Sequence, residues 1–318
     1  FRATLYANTE IASFLRSNFV LYWSSERPVP RVTIDFGDGR KLERTTTGNS
    51  AHYVLDEHGA VLDVLPGLYA PVAFRAELAK SLQLASTVRR LDGEARVAAV
   101  IKFHEAGRAD AARAFAAVAG TEYIRRDARL LDAGDIGPSA VQRAQMATMT
   151  KAAIEVVELA RLGIDAGAID PADVAQWATI GQRAWNIGLA PPPSGTPMQR
   201  VRRGVFVPKS PVVLDARSRA LVQRLHAGPT GATPADSPEV ATMLARLEQT
   251  IVADTALNQF RLRQQIRDFM IARRELAFER LNEWIYATVF HTPRSDAWLG
   301  LLSRTDFTGL PGDGVVMP

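Results

Sequence analysis

The side chains that most often bind metals are sparse in this sequence and lie far apart. None of its histidines has the His-Glu-x-x-His spacing that places two ligands on one metal ion. The five are His52, His58, His104, His226 and His291. His58 and the pair His104-Glu105 are interpreted as surface or loop residues.

The acidic side chains, like the histidines, lack the spacing of a metal site. Asp35, Asp38, Asp56 and Asp63 occur in the first part of the chain, but they lack the spacing of a calcium-binding loop. Gly37-Asp38-Gly39 is not followed by the Gly-Lys-Ser/Thr of a phosphate-binding loop, and it indicates a turn between strands. We predict no metal site and no bound cofactor.

Nucleophilic catalysis is also unsupported. The 318 residues contain no cysteine, which excludes a thiol nucleophile, thiol–disulfide exchange and cysteine-ligated zinc or iron–sulfur sites within them. No serine lies in a nucleophile elbow or in a Ser-x-x-Lys motif. The lack of these nucleophile motifs favours a chain that has no catalytic activity of its own. Without cysteines, the composition does not indicate a redox compartment, so the localisation stays open.

Arginine supplies most of the positive charge. The net charge is +4 and the sequence pI about 9.6, yet only five of the 38 basic residues are lysine. This bias is typical of a GC-rich bacterial genome and needs no nucleic-acid partner to explain it. Arg263, Arg267 and Arg274 lie near one face of a predicted helix, and we predict them as contacts for an anionic partner.

An apolar C-terminal run supplies the other predicted partner contact. Trp298, Leu299 and Leu301 lie in a predicted short helix or turn, which docks either on the same molecule or on another. The predicted partner is a protein or a second copy of the chain. No apolar run reaches the roughly 18 residues needed to cross a bilayer.

The first 85 residues alternate between helix and strand patterns. Asn8 or Thr9 can cap a short helix over residues 9–15, and Pro71 opens a later one. Period-two and apolar patterns predict four strands, the last two forming a hairpin. These strands cover residues 19–23, 31–36, 52–55 and 60–65.

Helical periodicity dominates from about residue 86 onward. Ser237-Pro238-Glu239 is a start signal for the last helix, and Asp254-Thr255 is an alternative cap for a second helix within it. Predicted helices cover residues 93–105, 108–119, 139–162, 171–186, 216–226 and 238–290. The predicted segments are 1–85, a helical segment 86–188, a Pro/Gly-rich linker with a short strand and helix 189–236, and a long-helix segment 237–318.

Three stretches near the N-terminus resemble a thioredoxin-like domain of the kind found at the front of large helical-toroid proteins. Residues 10–20 resemble its acidic-apolar helix and the strand that follows, Ser25 to Pro28 resemble its acidic loop, and Gly48 to Pro71 resemble its last hairpin and closing helix. The resemblance implies an α/β thioredoxin-like domain over residues 1–85. The helical periodicity after it predicts a mainly α-helical domain, which matches no toroid motif.

Two departures from the family bear on its chemistry. The position of the family's cis-proline corresponds to Ala51, and its Cys-x-x-Cys pair would fall a few residues before Phe1. Either a segment preceding Phe1 carries the cysteines, or the domain has lost its redox site, and the alanine favours loss. We therefore expect a redox-inactive thioredoxin-like binding or structural subunit of a larger assembly. The alternatives are a thiol–disulfide oxidoreductase with cysteines upstream of Phe1 and, third, an Arg-mediated nucleic-acid-binding protein.

Overall fold

A computed structural model of the protein shows small antiparallel sheets in the N-terminal part and mainly helices in the remainder. The predicted helices over 139–162 and 171–186 lie outside the residues that it describes. The described residues are 1–26, 31–45, 49–119, 198–202, 205–208, 213–227, 234, 236–273, 277–290 and 292–295.

Among the described residues, three hairpins supply the strands, and each is a separate two-stranded antiparallel sheet. The strands are β1 (Arg31–Asp35), β2 (Lys41–Thr45), β3 (Ala51–Leu55), β4 (Val61–Pro66), β5 (Met198–Arg202) and β6 (Val205–Pro208). The pairing of β3 with β4 confirms the predicted hairpin, and Tyr53 lies opposite Val64 in its register. The β5–β6 hairpin occupies part of the predicted linker.

Local sequence explains where several helices begin. The Asn8 side chain accepts a hydrogen bond from the Ile11 amide at 3.0 Å, Pro71 stands in the first turn of its helix, and Ser237 Oγ accepts from the Val240 amide at 3.2 Å. The helices are α1 (Thr9–Asn18), α2 (Pro71–Val88), α3 (Gly93–Ala119), α4 (Ala216–Ala227), α5 (Pro238–Leu257), α6 (Arg263–Ala272) and α7 (Phe278–Trp284). No helix among the described residues is long and apolar enough to span a membrane.

The predicted strand over residues 19–23 does not form. The chain leaves α1 in an extended conformation at Phe19 (φ −135°, ψ 147°), and residues 20–26 are neither helix nor strand. An apolar run favours a strand only where a neighbouring strand can pair with it and a second layer can cover its side chains. The described residues provide neither.

Helix α3 is continuous where the sequence predicted two helices. Gly107, which falls between the two predicted helices, lies inside it, and a Cβ on this residue would overlap the guanidinium of Arg267. The glycine therefore permits close approach of α3 to α6, which pack against each other. A glycine costs about 1 kcal/mol inside a helix, and here this close packing offsets it.

The stretch 238–290, predicted as one helix or two, contains three α-helices. Asp254-Thr255 is not a cap, because α5 continues through both residues to Leu257. A π-helical turn, Asn258–Leu262, connects α5 to α6, and a second one, Ile285–Val289, follows α7. The helical path breaks instead between Ala272 and Phe278.

The core joins the N-terminal sheet region to the C-terminal helices. Val64 of β4 packs in one cluster with Leu262, Ile266, Leu281 and Ile285. A second cluster combines Ala70 with buried side chains of α4 and α5, and a third holds α1, β3, β4 and α2 together. Two apolar side chains of the 278–290 stretch belong to this core, since Leu281 and Ile285 are fully buried.

Candidate functional site

Four charged side chains from three elements meet in the interior. Asp63 lies in β4, Glu77 in α2, and Arg263 and Arg267 lie one turn apart in α6, each residue being at most 4% exposed. We call these four residues the buried ion cluster. Its two carboxylates and two guanidiniums cancel in charge, which a buried group of ions requires.

Arg263 connects the two carboxylates of this cluster. Its Nη2 donates to Asp63 Oδ2 at 2.5 Å, and its Nη1 donates to Glu77 Oε2. Ser81 Oγ donates to the same Asp63 oxygen at 2.6 Å, and Arg267 Nη2 lies 3.8 Å from Glu77 Oε2. One guanidinium thus ties β4 and α2 to α6 through charge-assisted hydrogen bonds, which are about twice as strong as neutral ones.

The cluster keeps its members ionised despite burial. Burial by itself would raise the pKa of Asp63, but the facing Arg263 outweighs it and holds the pKa below its usual value. Burial is likewise outweighed at Glu77, whose pKa is lowered by Arg263 and then by Lys80. Burial would lower the pKa of Arg263, whereas the two carboxylates raise it above its ordinary value.

His104 of α3 completes the surroundings of the cluster as a neutral group. Its Nε2 lies 3.1 Å from the Leu62 carbonyl oxygen, and it must carry the proton because a carbonyl only accepts. Burial lowers the pKa of His104 to about 4, although Asp63 acts in the opposite direction. The predicted surface position of His104 is wrong, since the residue is fully buried while the adjacent Glu105 is exposed. Adjacent helix positions point about 100° apart, so neighbours need not share an environment.

This constellation supports the fold rather than a reaction. Acid–base groups act on a substrate only within hydrogen-bond reach, and Asp63 and Arg263 are each 1% exposed. No group of three or more His, Asp or Glu side chains in the described part of the chain is placed to hold a metal ion. The buried ion cluster therefore connects elements, and the functional surface must be sought outside it.

Comparison with known proteins gives no relative: no family model, no curated protein and no solved structure matches the chain. The thioredoxin-like resemblance rests on its residues alone and stays a prediction.

An unusual surface feature of the described residues is the run 20–23, which we call the apolar segment. Val20, Leu21, Tyr22 and Trp23 are 102%, 58%, 91% and 74% exposed. Within the described residues, none of their backbone groups makes a hydrogen bond. Single exposed apolar residues are ordinary in soluble proteins, whereas four in succession form a continuous exposed apolar stretch that requires an explanation.

Both ends of the apolar segment are attached to the core. At one end Phe19 packs against the cluster that contains Leu5 and Ile11. At the other end Asn282 Nδ2 donates to Glu26 Oε2 at 2.8 Å, and Asn282 Oδ1 accepts from the Tyr53 hydroxyl at 2.7 Å. The segment is therefore presented between two fixed points rather than as a free terminus.

Two of the sequence-predicted contact residues lie in the interior rather than at the surface. Arg263 and Arg267 are buried and face carboxylates of the same chain, so these two guanidiniums have internal partners in place of an external anion. Arg274 and the hydrophobic contacts Trp298, Leu299 and Leu301 lie outside the described residues.

A sequence signal for the buried ion cluster existed in the positions of its acids. Asp63 interrupts the apolar run from Val61 to Leu65, and Glu77 shares the buried face of α2 with Phe74 and Leu78. A charge in such a position must be paired, because an isolated buried charge is prohibitively costly. The sequence gives no comparable signal for which arginine supplies the partner.

Proposed function

We propose that the chain is a redox-inactive, thioredoxin-like binding subunit that holds a partner protein through the apolar segment. The exposure of Val20 to Trp23 carries this proposal. Burying one such side chain contributes about 1.5–3 kcal/mol, so covering all four would stabilise a complex substantially. Trp and Tyr are also enriched among the residues that dominate binding energies at protein interfaces.

Strand addition is the binding mode that suits this segment. Its backbone donors and acceptors are unpaired within the described residues, and a partner strand would satisfy them while covering the side chains. The partner is a second copy of the chain or a different protein that offers an exposed strand edge. Anchoring at Phe19 and Glu26 lowers the entropic cost of ordering the segment on binding.

The thioredoxin-like part of the proposal is supported by element order. Helix α1, the β3–β4 hairpin and α2 occur in the order that the resemblance implies, with the β1–β2 hairpin between α1 and β3 and without the strand expected after α1. The absence of cysteine from these residues and Ala51 at the start of β3 support loss of redox chemistry. Reduction of a test disulfide by the natural full-length protein would contradict the hypothesis that it is redox-inactive, and would favour the oxidoreductase alternative.

Site-specific photo-cross-linking in the native host tests the binding role. A photoreactive amino acid at Tyr22 is expected to cross-link to one defined protein or to a second copy of the chain, identified by mass spectrometry. The matched control carries the same photoreactive amino acid at Phe36. This aromatic residue directly follows β1 and is 55% exposed. Equal products from the two positions, or none from Tyr22, would refute the proposal.

The variant Leu21→Ser/Trp23→Ser provides a second measurement. Both side chains are largely exposed, so their replacement should leave the free energy of unfolding within about 0.5 kcal/mol of the unchanged protein. The cross-link from Tyr22 should then be lost although the protein remains folded. A cross-link that survives these replacements would show that the apolar side chains do not hold the partner.

A further inference from the structure

A groove of about 520 Å³ lies between the N-terminal turn of the chain and one side of α4. The α4 wall consists of Arg217, Ala220, Leu221 and Arg224, and the facing wall consists of Arg2, Tyr6 and Ala7. The four α4 positions are spaced by three, one and three residues, which places them on the same helix face. The groove falls within the 300–1,000 Å³ range typical of sites for small molecules.

Hydrogen bonds hold the two walls together. The Thr9 amide donates to Asp215 Oδ2 at 3.1 Å, and Ser218 Oγ donates to the Thr4 carbonyl at 3.3 Å. The other oxygen of Asp215 caps α4 by accepting from the Ser218 amide at 2.8 Å. Because both walls are fixed by these contacts, the groove is formed before any ligand enters.

Charge in the groove is strongly positive. Arg2, Arg217 and Arg224 are exposed, and none of them forms an ion pair with a carboxylate in the described part of the chain. Arg219 lies on the same helix but outside the groove, and it does form an ion pair, since its Nη2 donates to Glu248 Oε1 at 2.6 Å. The nearby Asp215 already uses both of its oxygens in backbone hydrogen bonds, and it offsets only part of this charge.

We propose that this groove binds a small organic phosphate. Guanidinium groups bind phosphate oxygens through paired, charge-assisted hydrogen bonds, and three of them suit a group that carries two or more negative charges. Ala7, Ala220 and Leu221 give the groove an apolar part, which an inorganic anion would leave uncovered. The ligand therefore combines a phosphate or diphosphate with an organic body.

Calorimetric titration of the full chain with adenosine diphosphate and with inorganic pyrophosphate tests this site. We expect saturable binding of one adenosine diphosphate per chain and weaker binding of pyrophosphate, which lacks the organic body. The variant Arg217→Gln/Arg224→Gln should weaken adenosine diphosphate binding about tenfold or more, because it removes two charged hydrogen-bond donors.

A charge-matched control separates a built site from general attraction of anions. Arg90→Gln/Arg246→Gln removes the same charge from two exposed positions outside the groove, and it should change the affinity less than twofold. All four side chains are exposed, so circular dichroism should show that both variants fold.

No saturable binding of adenosine diphosphate, or equal losses of affinity in the two variants, would overturn the proposal. Tighter binding of a single-stranded oligonucleotide than of adenosine diphosphate would replace it with nucleic-acid binding. The apolar segment is unchanged in every variant, so cross-linking from Tyr22 is independent of this result.

Discussion

The neutral state of His104 should make the free energy of unfolding depend on pH. Its pKa is about 4 in the folded chain against 6.5 for an unperturbed histidine. As the pH falls below 6.5 the unfolded chain binds this proton first, so stability decreases until the folded chain also binds it near pH 4. From pH 7.5 to pH 5 this loss amounts to about 2 kcal/mol for this histidine.

Urea unfolding of His104→Gln at the two pH values measures this contribution. Glutamine keeps an N–H that can donate to the Leu62 carbonyl, but it does not titrate. The pH-dependent loss of stability should therefore be about 2 kcal/mol smaller than in the unchanged protein. Replacement of the exposed His58 by glutamine is the control. An unchanged pH dependence in His104→Gln would show that His104 is not held neutral by burial.

The burial of a residue could be predicted from the sequence only where its neighbours along the chain indicate it. Asp63 stands among apolar residues, which identifies it as buried and in need of a partner. The partner, Arg263, is 200 positions away, and Glu77 is 186 positions from the same arginine. No local pattern encodes a pairing over that distance, so the sequence alone predicts Arg263 and Arg267 as contacts for a partner.

At the level of elements, the connection from β4 to α2 depends on Gly67. Its φ of +70° lies in the left-handed region, and a Cβ there would lie 2.5 Å from Asn258 Nδ2. That nitrogen donates to the Leu68 carbonyl at 2.7 Å, which fixes the first π-helical turn against the sheet region. The glycine thus meets a backbone requirement and a packing requirement together.

Comparison of Gly67→Ala with Gly59→Ala separates these two requirements. Gly59 also has a positive φ, +82°, but nothing lies within 4 Å of a Cβ built on it. We expect Gly59→Ala to cost about 1–2 kcal/mol of unfolding free energy for the backbone alone. Gly67→Ala should cost about 1–3 kcal/mol more, because displacing Asn258 breaks its partly buried hydrogen bond to the Leu68 carbonyl. Equal losses in urea unfolding would show that Asn258 adapts without cost.

Elements with local start signals were the ones that the sequence predicted well. Asn8, Pro71 and Ser237 lie at the starts of α1, α2 and α5, and the β3–β4 hairpin follows from strand patterns around a turn. The π-helical turns, the continuous α3 and the missing strand over residues 19–23 depend on which elements pack together. Such tertiary contacts override local preference, and a single sequence contains no direct record of them.

For the whole molecule, the shared core implies that the sheet region and the C-terminal helices unfold together. Val64 packs with α6 and α7, and Arg263 bonds to both Asp63 and Glu77, so opening one region leaves buried charges of the other unpaired. Native-state hydrogen exchange should therefore give the same free energy of opening for amides in β4 and in α6. Amides of the apolar segment should exchange without protection.

The variant Arg263→Met tests this coupling because it removes the arginine that joins the regions. Two buried carboxylates would lose their main partner, and we expect the protection of β4 and α6 to fall together by about 3–5 kcal/mol. Arg263→Lys keeps the charge but not the two-pronged geometry, so its smaller loss should also be common to both elements. Arg90→Met, at an exposed position, should leave protection unchanged. Loss of protection in α6 with β4 unaffected would mean that the two regions fold independently, because the free energy of a single cooperative unit cannot fall in one part alone.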